Sequence, residues 1–317
     1  MKSRMNVAVA VNRSYMRYLY VMLTSLLENN RDQEICIYLM SADLTEQQAA
    51  ILQSLAEQYQ QSMCFLHISE EMFSQELPVS KHITTEAYFR LALPDLLPKD
   101  QERVLYLDVD IIVNQPIGEF YHMDFEGKTF CACRDVGDIT VKNIKTSPLF
   151  AELKEQPEFV YFNSGVLLMN LQKLRRETSF SCIMEQAMRV KEYLKFHDQD
   201  LLNYLYCGDV RLVDEERYNL FVRTAYNAGY TCEQVKSRTA ILHYAGPKPW
   251  RHEEVRYPLE SFWWEYAKKT PYYVELLEEM VLTEINTGYM DQLYRNLQEE
   301  NAELRQLVDK CMRLLQR

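Results

Sequence analysis

The chain has 317 residues, of which 47% are hydrophobic and 26% are charged, and its formal net charge is −11 at pH 7. It is long enough to bury a sizeable core, and its acidic balance argues against a protein whose main task is to grip nucleic-acid backbone or an anionic membrane. No apolar run approaches the ~20 residues that a membrane-spanning helix needs.

Short apolar runs alternate with longer amphipathic stretches over the first 70 residues. The run 7–11 ends at Asn12-Arg13, too early for a signal peptide, and predicts the first strand. Helical patterns at about 15–29 and 44–60 lie between that run and strand candidates at 35–40 and 64–68. This alternation predicts a parallel sheet wound by right-handed crossovers. Further strands are predicted at 104–107, 130–133, 166–169, 210–213 and 241–244.

Polar residues follow three of these strands. Asn12, Asp108 and His243 each fall at or near the end of a predicted strand. Ligands of such sheets bind at the carboxyl ends of strands, so the three residues are expected to share one site.

Asp108 and Asp110, in the segment YLDVDIIV, are the first candidate metal ligands. On a regular strand they would point to the same face, and paired carboxylates suit Mg²⁺ or Mn²⁺. Their apolar flanks predict burial on both sides, where a cation would offset both the burial and the mutual repulsion of two carboxylates. A surface turn is the alternative. A phosphatase of the haloacid-dehalogenase type also carries such a pair, but normally near the start of the chain. We therefore rank this alternative below a metal site.

The carboxyl-terminal residues differ from the rest. From Met290 onward, apolar residues recur in alternating steps of three and four, broken only by Glu300. They are Met290, Leu293, Leu297, Leu304, Leu307, Cys311 and Leu314. We predict a helical extension over 271–317, with a short coiled coil at about 290–315 that dimerises the chain or docks a partner. A terminal helix packed on its own domain is the alternative.

The eight cysteines show no zinc-ligand spacing, and a chain of this length does not need disulfides. We therefore expect reduced thiols in a cytoplasmic protein. Peripheral attachment at the inner face of a membrane is an alternative location.

Six segments resemble those of glycosyltransferase family 8, in the same order along the chain. They are VAVNRSY, AYFRL, YLDVDIIV, FNSGVLLMNL, HDQDLLN and HYAGPKPW, and the resemblance covers about residues 6–252. The family includes bacterial lipooligosaccharide galactosyl- and glucosyltransferases and glycogenin. The resemblance implies a GT-A fold over residues 1–270, an α/β Rossmann-like mixed sheet flanked by helices. It also implies a UDP-sugar donor, Mn²⁺ with Mg²⁺ as an alternative, and retention of the anomeric configuration.

The resemblance also assigns the metal and the diphosphate. It makes His243 a third metal ligand beside Asp108 and Asp110, and imidazole nitrogen is acceptable to Mn²⁺. Gly246 would permit close approach of backbone to a phosphate, and Lys248 would neutralise the departing diphosphate.

The remaining matches concern the rest of the donor. Ala10 and Asn12 match positions that contact the base and ribose, and Tyr15 could stack on the base or belong to the core. Arg90 matches a residue that helps to hold the donor sugar and the pyrophosphate, and Asn163 matches one that contacts hydroxyls of the donor. An ion pair between Arg90 and Asp108 is a compatible alternative for the arginine.

Asp198 and Gln199 complete the candidate site. The resemblance places Asp198 on the sugar hydroxyls and Gln199 below the anomeric carbon, while a simple helix N-cap is the alternative for Asp198. An amide oxygen is a poor nucleophile, so we predict that Gln199 stabilises the oxocarbenium-like centre while the acceptor attacks from the front.

The predicted function is transfer of glucose or galactose from a UDP-sugar to a saccharide or lipid-linked saccharide acceptor, in bacterial polysaccharide or lipooligosaccharide synthesis. Segments 135–157 and 223–238 are expected to form the acceptor side. A self-glycosylating enzyme of the glycogenin type and a catalytically silent scaffold remain alternatives. No nucleic-acid partner is expected.

Overall fold

The structure is a computed structural model that describes residues 4–69, 72, 85–251, 256–287, 295, 297–306, 308 and 310. Its strands are β1 Met5–Ala10, β2 Ile35–Ser41, β3 Ser62–His67, β4 Arg103–Leu107, β5 Ile111–Val113, β6 Phe130–Arg134, β7 Phe162–Asn170, β8 Val210–Val213, β9 Leu220–Phe221 and β10 Ile241–His243. Every strand predicted from the sequence has a counterpart among them.

Helices flank these strands. The α-helices are α1 Met16–Asn29, α2 Glu46–Gln58, α3 Leu93–Leu96, α4 Gly118–Tyr121, α5 Asp138–Thr146, α6 Leu171–Glu177, α7 Phe180–Val190, α8 His197–Leu205, α9 Glu215–Tyr218, α10 Val222–Asn227, α11 Cys232–Arg238, α12 Ser261–Ala267 and α13 Tyr273–Thr287. Short 3-10 helices span Arg13–Tyr15, Thr85–Ala92, Pro148–Phe150, Leu153–Glu155, Lys191–Tyr193 and Pro258–Glu260.

Seven strands form one mixed sheet in the order β3-β2-β1-β4-β7-β6-β8. The first four are parallel, as the alternation of strands and helices predicts. β7 runs antiparallel to both of its neighbours, β4 and β6. β1 lies between β2 and β4, so the strand order reverses there, and such a reversal opens a crevice at the carboxyl ends of the strands.

The central strands are hydrophobic on both faces because helices cover both sides of the sheet. Every residue of β1 and β2 is buried. Side chains of one face pack with α1 and α2, while those of the other face pack with the 3-10 helix 85–92, α6 and α7. This double burial explains why the strands read as continuous apolar runs rather than alternating ones.

A second sheet of three strands, in the order β5-β10-β9, lies beside the first. β10 is antiparallel to β5, and His243 pairs with Ile111. Because β5 follows β4 after only three residues, the chain passes from one sheet to the other through Asp108, Val109 and Asp110. The second sheet thereby brings the end of β10 to the end of β4.

The carboxyl-terminal helix α13 docks on α1 through ion pairs. Arg17 lies 2.7 Å from Glu275 and 3.1 Å from Glu279, and Leu276 is buried.

The predicted coiled coil falls partly outside the described residues. The large apolar residues described in that region lie in helical segments and are exposed; they are Leu297, Leu304 and Val308. The coiled coil therefore stays a prediction. Among the described residues, no helix is both long and apolar enough to cross a membrane.

Candidate active site

Asp108, Asp110 and His243 meet at the junction of the two sheets. Each offers a ligand atom, and these atoms all lie within 4.8 Å of one another. The two aspartates lie in a turn rather than on a strand, and their side chains are 27% and 17% exposed. The expectation that the pair is buried on both sides was therefore wrong. Partial exposure leaves one side of the group open, as a substrate-binding metal site requires.

Gly165 forms the floor beneath these three side chains. A Cβ there would overlap Asp108 Oδ2 and lie 2.7 Å from His243 Cε1. The main chain of Gly165 is held by two hydrogen bonds, since its carbonyl accepts from Asp108 N at 2.8 Å and its N–H donates to Asn163 Oδ1 at 3.0 Å. The glycine in FNSG is thus required by the close approach of the Asp108 and His243 side chains.

Asp110 is surrounded by cationic and polar partners. Lys248 Nζ contacts its Oδ2 and also donates to the carbonyl of Tyr244 at 2.8 Å, while His243 Nε2 lies 3.3 Å from its Oδ1. Burial acts to raise the pKa of Asp110, but the charge of Lys248 is the largest of the effects that lower it, and the pKa lies well below its usual range. The Asp110 carboxylate is therefore ionised at neutral pH and pairs with Lys248.

Arg90 bridges two carboxylates from inside the protein. Its guanidinium lies 3.0 Å from Asp108 Oδ1 and 3.1 Å from Asp198 Oδ2, and its charge sits 4.1 Å from the centre of the Tyr106 ring. The ion pair with Asp108 that the sequence allowed is present. Because Arg90 is almost fully buried, its charge acts on Asp108 and Asp198 with little screening by solvent.

Asp198 is part of this ion-pair network and not the N-cap of a helix. Helix α8 begins at His197, whose φ of +50° is left-handed, and its N-cap is Phe196 without a side-chain hydrogen bond. The turn aims Asp198 at Arg90. Burial raises the pKa of Asp198 to about 6, although Arg90 opposes the shift. Asp200 has a structural role, since it accepts from the Tyr161 hydroxyl at 2.6 Å and from two main-chain N–H groups.

Asn163 and Gln199 form a buried amide cluster around Asp135. Asn163 Nδ2 donates to Gln199 Oε1 at 2.9 Å and to Asp135 Oδ2 at 3.2 Å. Gln199 Nε2 donates to the same Asp135 oxygen at 3.0 Å, and its Oε1 also accepts from the main-chain N–H of Ser164 at 3.0 Å. Asn163 lies inside β7, which begins at Phe162, rather than before the strand as the sequence indicated.

Two members of this arrangement were missed as site residues by sequence reasoning. Asp135 was predicted only as the first residue of segment 135–157, which is expected to form part of the acceptor side. Asn219 was not predicted to have a role. Asn219 Nδ2 donates to Asn163 Oδ1 at 2.9 Å, and its Oδ1 lies 2.7 Å from His243 Nδ1. The available signal was position, because Asp135 directly follows β6 and Asn219 directly precedes β9.

The residues matched to the donor base lie at the end of β1. Ala10 is the last residue of that strand and is 6% exposed. The side-chain oxygen of Asn12 accepts from Tyr15 N at 3.1 Å and so caps a 3-10 turn. The Tyr15 ring packs edge-on against Tyr18 at 5.2 Å and Trp250 at 6.5 Å between centroids. These contacts place Tyr15 in an aromatic cluster beside the loop that carries Lys248.

That loop connects β10 to the aromatic cluster. Gly246 has a φ of +97°, a left-handed conformation that side chains disfavour, and no atom lies within 4 Å of a Cβ placed there. Trp250 stacks on Tyr18 at 4.3 Å and contacts Trp263 at 5.0 Å. The loop is therefore fixed at one end by His243 and at the other by Trp250, with Lys248 between them.

Replacing Arg90 with Met is expected to lower the free energy of unfolding by about 3 kcal/mol, because it leaves Asp198 as an uncompensated buried carboxylate. A carboxyl whose folded pKa is raised contributes stability below its unfolded pKa and loses it as the pH rises through the folded value. The variant raises that pKa further. The decrease in its free energy of unfolding, relative to the parent protein, should therefore be larger at pH 8 than at pH 5. Urea unfolding at both pH values measures this.

Arg175→Met is the matched control for this pH dependence. Among the described residues, the hydrogen bonds of the Arg175 guanidinium run to main-chain carbonyls, such as Pro94 O at 2.7 Å and Gln101 O at 2.6 Å. Its removal should destabilise the protein by a similar amount at both pH values. Equal pH dependence in the two variants would contradict the role given to Asp198.

Comparison with known proteins decides the family. The model of glycosyl transferase family 8 matches residues 6–254, which is most of the chain. The chain belongs to glycosyltransferase family 8. A putative glycosyltransferase of Haemophilus influenzae is 26% identical over 293 residues, covering 86% of each sequence. The lipopolysaccharide 1,2-glucosyltransferase of Escherichia coli K12 is 26% identical over 284 residues, covering 84% of this chain and 79% of the relative.

The fold of this family 8 glycosyltransferase is also found in solved structures. The galactosyltransferase LgtC, in complex with donor and acceptor sugar analogues, superposes with a TM-score of 0.72 at 27% identity. The match covers 84% of this chain and 96% of LgtC. The mixed sheet flanked by helices is therefore a GT-A fold, as the resemblance of the six segments implied.

Proposed function

We propose that this glycosyltransferase transfers glucose or galactose from a UDP-sugar to a saccharide acceptor, with Mn²⁺ and with retention of configuration. Relatives named as lipopolysaccharide glucosyl- and galactosyltransferases support a role in bacterial envelope polysaccharide synthesis. The observation that carries the proposal is the convergence of Asp108, Asp110 and His243 beside the buried amide cluster of Asn163 and Gln199.

The candidate ligand atoms of Asp108, Asp110 and His243 fit a divalent cation. Two carboxylates and one imidazole nitrogen converge above Gly165, where a side chain would fill the space. Mn²⁺ accepts this mixture of oxygen and nitrogen more readily than Mg²⁺, which prefers oxygen. When bound, the ion would neutralise the diphosphate of the donor and favour its departure.

The protein's own charges assist the same departure. Lys248, fixed between His243 and Trp250, supplies an ammonium next to Asp110, and Arg90 adds a buried guanidinium beside Asp108. Negative charge that develops on the leaving oxygens is stabilised by such preorganised cations. Arg90 also fixes Asp198, which is the residue proposed to bind the sugar hydroxyls.

Gln199 is proposed to stabilise the anomeric carbon without forming a bond to it. Its Oε1 accepts hydrogen bonds from Ser164 N and Asn163 Nδ2, which withdraw electron density and make a weak nucleophile weaker. The acceptor hydroxyl would then attack from the face that the diphosphate leaves, and a departing phosphate oxygen takes its proton. A glycosyl ester trapped on Asp198 or Asp200 and detected by peptide mass spectrometry would refute this route.

Release of UDP tests the proposed function directly. The protein is incubated with UDP-glucose or UDP-galactose, with and without Mn²⁺, in the presence of candidate saccharide acceptors. We expect UDP release that depends on Mn²⁺ and a product that keeps the donor's anomeric configuration by NMR. Sugar mass added to the protein itself would favour self-glycosylation of the glycogenin type, and no turnover with any UDP-hexose would favour a silent scaffold.

Replacing Gln199 with Ala is expected to lower kcat by about a hundredfold while the KM for the donor changes severalfold at most. The amide lies where charge develops only in the transition state, so its loss should fall on kcat. Steady-state kinetics of UDP release measure both constants. The control is Gln53→Ala, which removes a surface hydrogen bond to Glu57 within α2. A raised KM with unchanged kcat would contradict the assignment.

A further inference from the structure

Asn219 connects the two halves of the candidate site. Its side chain, 1% exposed, lies between the metal-ligand group and the amide cluster. On one side it donates to Asn163 Oδ1 at 2.9 Å, and on the other its Oδ1 faces His243 Nδ1 at 2.7 Å. Both contacts are buried and of normal hydrogen-bond length.

The direction of these hydrogen bonds follows from their neighbours. Asn163 Oδ1 accepts from the main-chain N–H of Gly165, which can only donate, and Asn163 Nδ2 donates to the carboxylate of Asp135. The oxygen of Asn163 therefore faces Asn219, which must present its amide nitrogen there. Its oxygen is left to face His243.

His243 must then carry its hydrogen on Nδ1. The carbonyl oxygen of Asn219 accepts that hydrogen, and the lone pair of Nε2 points toward Asp110, 3.3 Å away. In the opposite tautomer, Nε2–H would donate to the Asp110 carboxylate and two candidate ligand atoms would bind each other instead of a cation. In the neutral ring, a residue that accepts from Nδ1–H disfavours this competing arrangement.

We propose that Asn219 is a positioning residue that selects the metal-ligating tautomer of His243 and ties that ligand to the amide cluster under the donor sugar. The inference rests on the proposed metal-dependent function. A chain of hydrogen bonds runs from Asp135 through Asn163 and Asn219 to His243. A change at one end of this chain is therefore expected to alter the other end.

Two variants of Asn219 separate its two hydrogen bonds. Asn219→Ala removes both, and we expect Mn²⁺ affinity measured by titration calorimetry to fall about 10- to 100-fold. Asn219→Asp keeps an acceptor for His243 Nδ1–H but cannot donate to Asn163. It should recover most of the Mn²⁺ affinity while kcat for UDP release stays low, because the amide cluster loses its partner.

Asn114→Ala is the matched control. Asn114 donates to main-chain carbonyls next to β10, with its Nδ2 2.8 Å from Thr239 O, and its described hydrogen bonds do not involve a candidate ligand. This variant should lower the melting temperature and leave the Mn²⁺ dissociation constant unchanged. Mn²⁺ affinity of Asn219→Ala within twofold of the parent, or an equal loss in Asn114→Ala, would overturn the proposal.

A second readout does not depend on the metal. Long-range ¹H–¹⁵N NMR of histidine-labelled protein, compared with a His243→Gln variant for assignment, reports which ring nitrogen carries the hydrogen. We expect Nδ1–H in the parent protein and Nε2–H in Asn219→Ala. Absence of Mn²⁺ binding in the parent protein would refute the proposed metal, whereas an unchanged tautomer in Asn219→Ala would refute the role of Asn219.

Discussion

Replacing Asp110 with Asn is expected to lower kcat/KM for UDP-sugar turnover by about a thousandfold, or about 4 kcal/mol of activation free energy. The substitution keeps the shape of the side chain and removes one of the two carboxylates at the junction of the sheets. The charge of Lys248 is the largest of the effects that already hold the pKa of Asp110 far below its usual range against burial. The parent site is therefore charged at any working pH, and the variant loses that charge.

The measurement for this variant is UDP release over a series of Mn²⁺ concentrations, together with Mn²⁺ binding by calorimetry. Asp209→Asn is the control, because Asp209 also pairs with a lysine, Lys173, at 2.9 Å but lies at the opposite end of β6 and β7. The control should lower stability slightly and leave kcat/KM within twofold. Unaltered metal-dependent turnover in Asp110→Asn would contradict the assignment of the metal ligands.

The sheet could be predicted from the sequence because its central strands are buried on both faces. β1, β2, β4 and residues 166–169 of β7 read as apolar runs. The helical patterns between β1, β2 and β3 require parallel crossovers. The short strands β5 and β9 were not predicted as strands. A strand of two or three residues carries no periodicity, and its pairing with β10 is set by tertiary contacts.

Without the family resemblance, the site could be predicted only where a residue ends a strand. Asp108 and His243 stand at such ends, and the structure brings them together as expected. The orientation of Asp198 could not be predicted in this way. The left-handed turn at His197 directs Asp198 toward Arg90, and no local sequence pattern predicts that turn. Asn219 joins residues that are distant in the sequence, so its role appears only when the hydrogen bonds are known.

Gly165→Ala is expected to weaken Mn²⁺ binding by about a hundredfold, close to 3 kcal/mol, and to lower UDP release in parallel. The added methyl group would overlap Asp108 Oδ2 and press on the His243 ring. The main chain cannot retreat, because Gly165 is hydrogen-bonded to Asp108 and its neighbour Val166 pairs with Leu107 in the sheet. The ligands must therefore move apart.

Gly118→Ala shows whether this effect belongs to the site. Gly118 is the first residue of α4, and a Cβ there meets only the flexible side chain of Gln33, at ordinary contact distances of 3.5 Å and beyond. This control should bind Mn²⁺ and turn over UDP-sugar as the parent protein does. Calorimetry and the UDP assay on both variants decide between two causes. If Gly165→Ala loses stability but keeps its Mn²⁺ affinity, the glycine serves the sheet alone, whereas weakened Mn²⁺ binding with a preserved melting temperature shows that the sequence keeps glycine there for the ligands.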